Sequence, residues 1–359
     1  MLNLPKIDAD ISLAHTLPGD FYLDKNVFEW QKQHLFPKSW QYVAPATELK
    51  ANNSTYPFEL CGEPLVLTRD KNGELHCLSN VCTHRGNLLV TEKGAARMLS
   101  CNYHGRCFNL DGQFRSMPGF EGVKNFPSEK DHLHPCPVME WGGMIFAATA
   151  FNGSFEDHFA PMMDRLSWMP LEDMVFYPSK SRAYTFPANW MLYCDNYLEG
   201  FHIPFVHPAL NAALDNDLYG YELFHSGNLQ LGIAKENEPI YDIPASSPDH
   251  GKLVYAYYYW MYPNLMFNFY PWGLSLNVVE PLGIAETRVH FLTFLYPEKE
   301  EEFAEARIHQ TEMEDEAVVL GVQKGISSKF YTDGRYSVSM EQGVHHFHRL
   351  LIGGMIQEF

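Results

Sequence analysis

Cys82-Thr83-His84-Arg85-Gly86 and, with sixteen residues between His84 and Cys101, Cys101-Asn102-Tyr103-His104-Gly105 form the stretch on which the reading of this chain turns. Each pentapeptide follows a run of strand character and offers one thiolate and one imidazole from the tip of a loop, so four ligands converge from two loops. Two thiolates can hold one iron of a [2Fe–2S] cluster while two imidazoles hold the other, and neutral imidazoles in place of thiolates raise the potential relative to an all-cysteine cluster. A Cys2His2 zinc site has the same ligand count, but such sites usually pair cysteine with cysteine and histidine with histidine rather than mixing them in each loop. Gly86 and Gly105, having no Cβ, suit a close approach of backbone N–H groups to cluster sulfides.

Outward from these loops, residues from about 38 to 150 read as short strands punctuated by turns. Glu63 to Thr68 and Leu75 to Leu78 flank Asp70-Lys71-Asn72-Gly73, and Leu99 to Asn109 is parted from Gln113 to Arg115 by Asp111-Gly112. Asn-Gly and Asp-Gly between apolar runs are the strongest local hairpin signals, because both centre residues tolerate positive φ. An antiparallel β module is expected. Beyond residue 150 the pattern changes: Ala188 to Phe205 reads as helix, Val254 to Val279 and Arg288 to Leu295 as strands, and Glu300 to Lys324 as one long helix. That is an α+β domain. Segment 1–37, with a helix candidate at Val27 to Leu35, could by sequence pack on either half; the division adopted is 1–37 packing on the second domain, 38–150, and 151–359.

The bulk properties narrow the function classes. A chain of 359 residues with 46% apolar and 14% aromatic content can bury two cores. With 26 basic against 44 acidic residues the net charge is −18, which argues against a nucleic-acid ligand, since phosphates demand a basic face. The opening Met-Leu-Asn-Leu-Pro-Lys lacks the basic start and apolar core of a secretion signal, so a cytoplasmic location is expected. Leu253 to Trp272 is interrupted by Pro263, Asn264, Asn268 and Pro271 and reads as two strands rather than a membrane span. The odd count of seven cysteines in a reducing compartment argues against a disulfide framework. Cys61, Cys77, Cys107, Cys136 and Cys194 read as buried small apolar residues.

A second constellation lies at Asp195-Asn196-Tyr197-Leu198-Glu199-Gly200-Phe201-His202-Ile203-Pro204-Phe205-Val206-His207-Pro208. Five residues on an ideal helix turn by about 140° beyond a full circle, so His202 and His207 would not share a face. Pro204 is expected to bend or end the helix between them. Glu199, three before His202, shares that histidine's face. Two imidazoles and one carboxylate on one side of an iron, the other positions open, is the arrangement of non-haem iron(II) oxygenases. These residues leave the carboxylate still to be supplied.

The first pattern, Cys-x-His then Cys-x-x-His, resembles the Rieske iron–sulfur signature. Asn196 to His207 resembles the Asn-Tyr-x-Glu-x-x-His-x4-His motif of Rieske non-haem iron oxygenase α subunits, the aromatic-ring-hydroxylating dioxygenase superfamily. Respiratory Rieske proteins bridge their cluster loops with a disulfide; Asn87 and Tyr103 stand at those places, so the chain looks like the oxygenase type, although Arg106 stands where that type commonly has Trp. The resemblance implies an N-terminal antiparallel β Rieske domain and a helix-grip (START/Bet v1-like) catalytic domain with an antiparallel sheet and a long C-terminal helix. It implies a [2Fe–2S] cluster on Cys82, His84, Cys101 and His104, and a mononuclear iron on His202, His207 and an acid of the long helix. Asp315 is the choice, because Glu314-Asp315 precedes Val322-Gln323 at the family spacing, while Leu320 departs from the Glu that relatives often carry. Glu199 is implied as the electron-transfer bridge between subunits, reached from the cluster through His104, in a head-to-tail homotrimer. No Gly-x-Gly-x-x-Gly follows a strand, so NAD(P)H would act only through a separate flavin/iron–sulfur reductase or ferredoxin. His345, His346 and His348 read as packing or subunit contacts.

For the substrate, Tyr255, Tyr257, Tyr258, Tyr259, Trp260, Tyr262, Phe267, Phe269, Tyr270 and Trp272 could supply a cation–π cage for a quaternary ammonium group, or simply an aromatic core. Glu rather than Asp at position 199, and the motif around it, resemble the choline, glycine-betaine and carnitine branch. Hydroxylation or demethylation of an aromatic compound is the competing expectation, and a Rieske electron carrier without oxygenase activity a third.

Overall fold

The computed structural model describes residues 4–303 and 305–357, the side chains of 305–308 and 357 excepted. Residues 32–155 make one compact unit, and residues 1–31 with 156–359 make another.

The smaller unit is antiparallel throughout. Its main sheet has five strands in the order Gly94–Ala95, Ser54–Leu60, Glu63–Arg69, Leu75–Ser79, Pro135–Cys136. The Asp70 turn forms as its residues dictate: the Asp70 carboxylate accepts the N–H groups of Asn72 and Glu74, and Gly73 takes φ 88°. Leu60 and Glu63 are joined by a two-residue turn in which Cys61 has φ 54° and Gly62 φ 89°. Cys61 is therefore a half-buried turn residue rather than a buried one, and Cys107, on a strand, is half-buried too, its Sγ donating to Gly105 O. Cys77, Cys136 and Cys194 are buried. The expected strand Leu99 to Asn109 survives only as Leu99–Ser100 and Cys107–Phe108, because the loop carrying Cys101 and His104 occupies its middle. Val66, Leu78, Leu99, Phe108, Leu110 and Leu133 pack with Cys82 and Cys101 in one apolar cluster, so both thiols rest on a rigid floor.

The larger unit is built on an eight-stranded antiparallel sheet. Its order is Val175–Phe176, Glu286–Leu295, Gly273–Gly283, Leu265–Tyr270, Val254–Met261, Gly227–Ile233, Gly220–Phe224, with Arg182–Phe186 also pairing Glu286–Leu295. Helices Trp190–Tyr197 and Gln342–Gln357 pack against it, and Glu305–Gly325 packs on Trp190–Tyr197. The long helix starts at Glu305 rather than Glu300, since Pro297–Glu302 winds as a 3₁₀ turn. The helix expected over Ala188 to Phe205 ends at Tyr197. At the N-terminus, Lys25–Trp30 is α-helical and passes into a π-turn, Gln31–Leu35. No described helix is long and apolar enough to cross a membrane.

Candidate active site

The helix Trp190–Tyr197 starts at Asn189, whose side chain accepts Met191 N–H while its amide donates to Tyr22 O and Ile284 O. Asn189's own N–H donates to Gln323 Oε1 at 2.7 Å, which pins the long helix onto the start of the short one. The Val322-Gln323 element of the sequence thus has a structural purpose: it sets the height at which Asp315 meets the histidines. After Tyr197 the chain leaves the helix, and Pro204 sits in the first turn of a new one, Ile203–Val206, where its missing N–H costs nothing. This corrects the reading of Pro204 as the breaker; both histidines lie beyond the first helix, His202 before the short helix and His207 after it.

That turn brings the two rings together. His202 Nε2 and His207 Nε2 are 3.1 Å apart, and Asp315 Oδ1 lies 2.9 Å from His207 Nε2 and 3.5 Å from His202 Nε2. The outer nitrogens are held by acids: His202 Nδ1 is 2.6 Å from Glu199 Oε1, and His207 Nδ1 is 2.8 Å from Glu314 Oε2. With each Nδ1–H donated to a carboxylate, both Nε2 lone pairs and the Asp315 oxygen face one point, an arrangement a dication satisfies. One ligand atom from each of His202, His207 and Asp315 lies within 4.8 Å of the others, and among the described residues no other such group of three occurs. Burial disfavours the charged His202 ring, yet hydrogen bonds with Asp315 and Glu199 outweigh it and push the imidazole up to about 9. Asp315 is held low by the two imidazoles against its own burial. The acid Glu314 was legible only as the neighbour of Asp315; nothing in sequence marked it as the partner of His207.

In the smaller unit the two ligand loops are near copies. Cys82 N–H donates to Asn87 O and Gly86 N–H to Cys82 O; Cys101 N–H donates to Arg106 O and Gly105 N–H to Cys101 O. Gly86 and Gly105 both take positive φ, 72° and 73°, which a side chain would resist. The loops set the His84 and His104 rings 4.7 Å apart at their centroids, and Cys82 and Cys101 are buried in the same cluster. Two soft sulfurs and two imidazoles converge on one edge, the donor set that a two-iron cluster needs. Arg106, where a Trp was looked for, is 2% exposed and fills that aromatic place. Its guanidinium stacks on Phe114 and Phe126 at 5.0 and 5.4 Å and pairs with Asp131 at 2.6 Å.

The third histidine group does not form a site. His345 bonds Asp8 O, His346 bonds Phe224 O, and His348 sits between Asp195 and Tyr336 at 2.8 and 2.6 Å.

The family models agree with this geometry. A Rieske [2Fe–2S] domain matches residues 39–127, and the catalytic domain of ring hydroxylating alpha subunits matches residues 174–353. The chain belongs to the Rieske oxygenase alpha subunits. This oxygenase is 31% identical to the chloroplastic choline monooxygenase of Arabidopsis thaliana, over 97% of the chain and 84% of that protein. It is also 31% identical to the carnitine monooxygenase oxygenase subunit of Escherichia coli K12, over 94% of the chain and 93% of the relative. A quaternary ammonium Rieske monooxygenase structure superposes with TM-score 0.78 at 27% identity, covering 98% of this chain and 99% of that one. Naphthalene 1,2-dioxygenase from Rhodococcus sp. shares the fold at TM-score 0.71 and 16% identity. The Rieske oxygenase is an oxidoreductase that carries a [2Fe–2S] cluster and a mononuclear iron and takes its electrons from a separate reductase.

A cavity of about 210 Å³ opens onto His202, His207 and Asp315. Of the aromatic residues singled out in the sequence, Tyr255, Tyr258, Tyr270 and Trp272 line it, joined by Tyr193, Tyr197, Tyr219 and Phe291, while Tyr257, Tyr259, Trp260, Phe267 and Phe269 are buried core outside its lining. Alternation parts Tyr258 from Tyr257 and Tyr259, and Tyr270 from Phe269, while Tyr255 lines the cavity at the register shift between Val254 and Ala256; a list of aromatic positions displays none of this.

Proposed function

We propose that this oxygenase uses O2 and reductase-supplied electrons to hydroxylate or oxidatively demethylate a quaternary ammonium compound of the choline, betaine or carnitine type. The observation that carries the reading is the cavity's lining. It is walled by tyrosine and tryptophan faces, includes the acids Glu199, Glu302, Glu312 and Asp315, and among the described lining residues has no lysine or arginine. Aromatic faces with a net negative surround attract a cation that cannot hydrogen-bond. The relatives named for choline and carnitine support the same class.

In this reading His202, His207 and Asp315 hold the mononuclear iron, which when bound supplies the site of oxygen activation. Glu199 and Glu314 fix the outward nitrogens of the two imidazoles and keep their Nε2 lone pairs free. Cys82, His84, Cys101 and His104 hold the cluster. Glu199 is the bridge by which electrons pass from His104 of a neighbouring subunit to His202 in a head-to-tail homotrimer. His104 is exposed at its loop tip, and Phe201 and Phe205, 45% and 79% exposed beside His202, offer an apolar surface for such a contact. The chain works in the cytoplasm. The test is a product screen of the reconstituted holoenzyme with a surrogate reductase and NADH against choline, glycine betaine, carnitine and simple aromatic acids. Oxidised or demethylated products from a quaternary amine are expected; turnover of the aromatic acids alone would establish an aromatic-ring or demethylating oxygenase instead.

A further inference from the structure

One acid of the cavity has no part in the metal site. Glu312 lies on the long helix three residues before Asp315, on the same face, and is 2% exposed in the cavity wall. Its Oε2 accepts the Tyr193 hydroxyl at 2.8 Å, and its Oε1 is buried with no hydrogen-bond partner among the described residues. Leaving a buried carboxyl oxygen unpaired is costly, and a cation seated beside the group offsets that cost by charge rather than by a hydrogen bond. The other acids of the lining are engaged or exposed. Glu199 uses both oxygens on His202, Asp315 faces the two imidazoles, and Glu302 is exposed. Burial, opposed by the Tyr193 hydrogen bond and reinforced by Asp315 and Glu316, holds the Glu312 carboxyl well above the usual range, a cost that an adjacent cation relieves.

We infer that Glu312 is the specificity-determining counter-charge for the substrate's cation, the group that makes this cavity prefer a trimethylammonium to an uncharged group of the same shape. The inference rests on the quaternary-ammonium reading. A trimethylammonium has no N–H to donate, so hydrogen-bond geometry cannot select it; only ring faces and charge can. Tyrosine faces alone also accept a neutral tert-butyl group through apolar contact. The buried carboxyl is what separates the two, with Tyr193 holding it in place through Oε2.

The experiment compares wild-type holoenzyme with Glu312→Gln, which keeps the shape and the acceptor for Tyr193. The probes are whichever of choline, glycine betaine and L-carnitine the wild type oxidises, and its analogue with C(CH3)3 in place of N(CH3)3. Dissociation constants are read from the ligand-induced change in the mononuclear iron spectrum, alongside KM and kcat. Glu312→Gln is expected to weaken binding of the cation about ten- to a hundred-fold, leave the neutral analogue's affinity unchanged or improved, and retain both iron centres by metal analysis. Equal discrimination by wild type and Glu312→Gln overturns the role of Glu312 while leaving the substrate reading intact. A wild type that binds no quaternary amine overturns the substrate reading and this inference with it. Tyr193→Phe separates charge from scaffolding, because it removes the hydrogen bond but keeps the acid. Retained preference for the cation supports the inference, and loss as large as in Glu312→Gln assigns Glu312 to holding Tyr193. Should Glu312→Gln fail to hold iron, Glu312→Asp takes its place: a preserved preference for the cation supports the charge, and a lost preference overturns it.

Discussion

Asp315 and Glu199 differ by where their oxygens point. Asp315 faces the two Nε2 atoms, whereas Glu199 takes His202 from behind, through Nδ1 and the backbone N–H. Asp315→Ala should therefore remove the mononuclear iron and leave the cluster, taking iron from about three to about two per chain with two sulfides unchanged. Retention of all three irons would move the third ligand elsewhere. Glu199→Gln keeps an acceptor oxygen for one of the two His202 N–H groups, so iron content and cluster spectrum are expected to persist. Coupled turnover should fall roughly 10- to 100-fold, the scale at which the group behind a metal-bound histidine acts. Single-turnover oxidation of the pre-reduced cluster is the measurement, and an unaltered rate would remove Glu199 from the electron path. His202 and His207 were legible from their context in the chain. Glu314 was not, because its partner is 107 residues away and a helix rich in acids offers no mark of which one turns inward.

Among elements, the two cluster loops depend on a tie that sequence could not display. Arg106 follows directly on Gly105 and is buried, and Asp131, 25 residues on, neutralises it while accepting the Ser128 N–H. The guanidinium holds Asp131 low against the latter's burial. Removing one partner of such a pair leaves a charge stranded between phenylalanine rings and costs about 3–5 kcal/mol. Asp131→Asn is expected to lower the thermal midpoint and to speed bleaching of the cluster absorbance on warming. A variant as stable as the parent would show that the pair contributes nothing net. The hairpins around these loops were readable because Asp70-Lys71-Asn72-Gly73 and Asp111-Gly112 act through their own backbone preferences. The break of the helix at Tyr197 was placed too late, since the proline was credited with ending a helix when it begins the next one.

Across the whole molecule, pH acts on stability through buried histidines as well as acids. Burial pushes His158 down to about 4, helped by His225 and opposed by the backbone of Tyr262. Because its folded value lies below the unfolded value of 6.5, protonation favours the unfolded chain. Its contribution is complete above pH 6.5 and is lost as pH falls toward 4, a span worth about 3 kcal/mol. Chemical denaturation at pH 7.5 and 4.5 should show a smaller loss for His158→Gln than for the parent; parallel losses would assign the acid sensitivity to other groups. What the sequence by itself determined was what neighbours along the chain decide: the two ligand loops, their glycines, the turns, the helical stretches and the paired histidines. Only the tertiary structure decided which acid backs each imidazole, which of the aromatic residues face the cavity, and where Glu312 stands. Those properties depend on which helix face and which sheet face are turned toward one point, and long-range packing, not local spacing, sets that orientation.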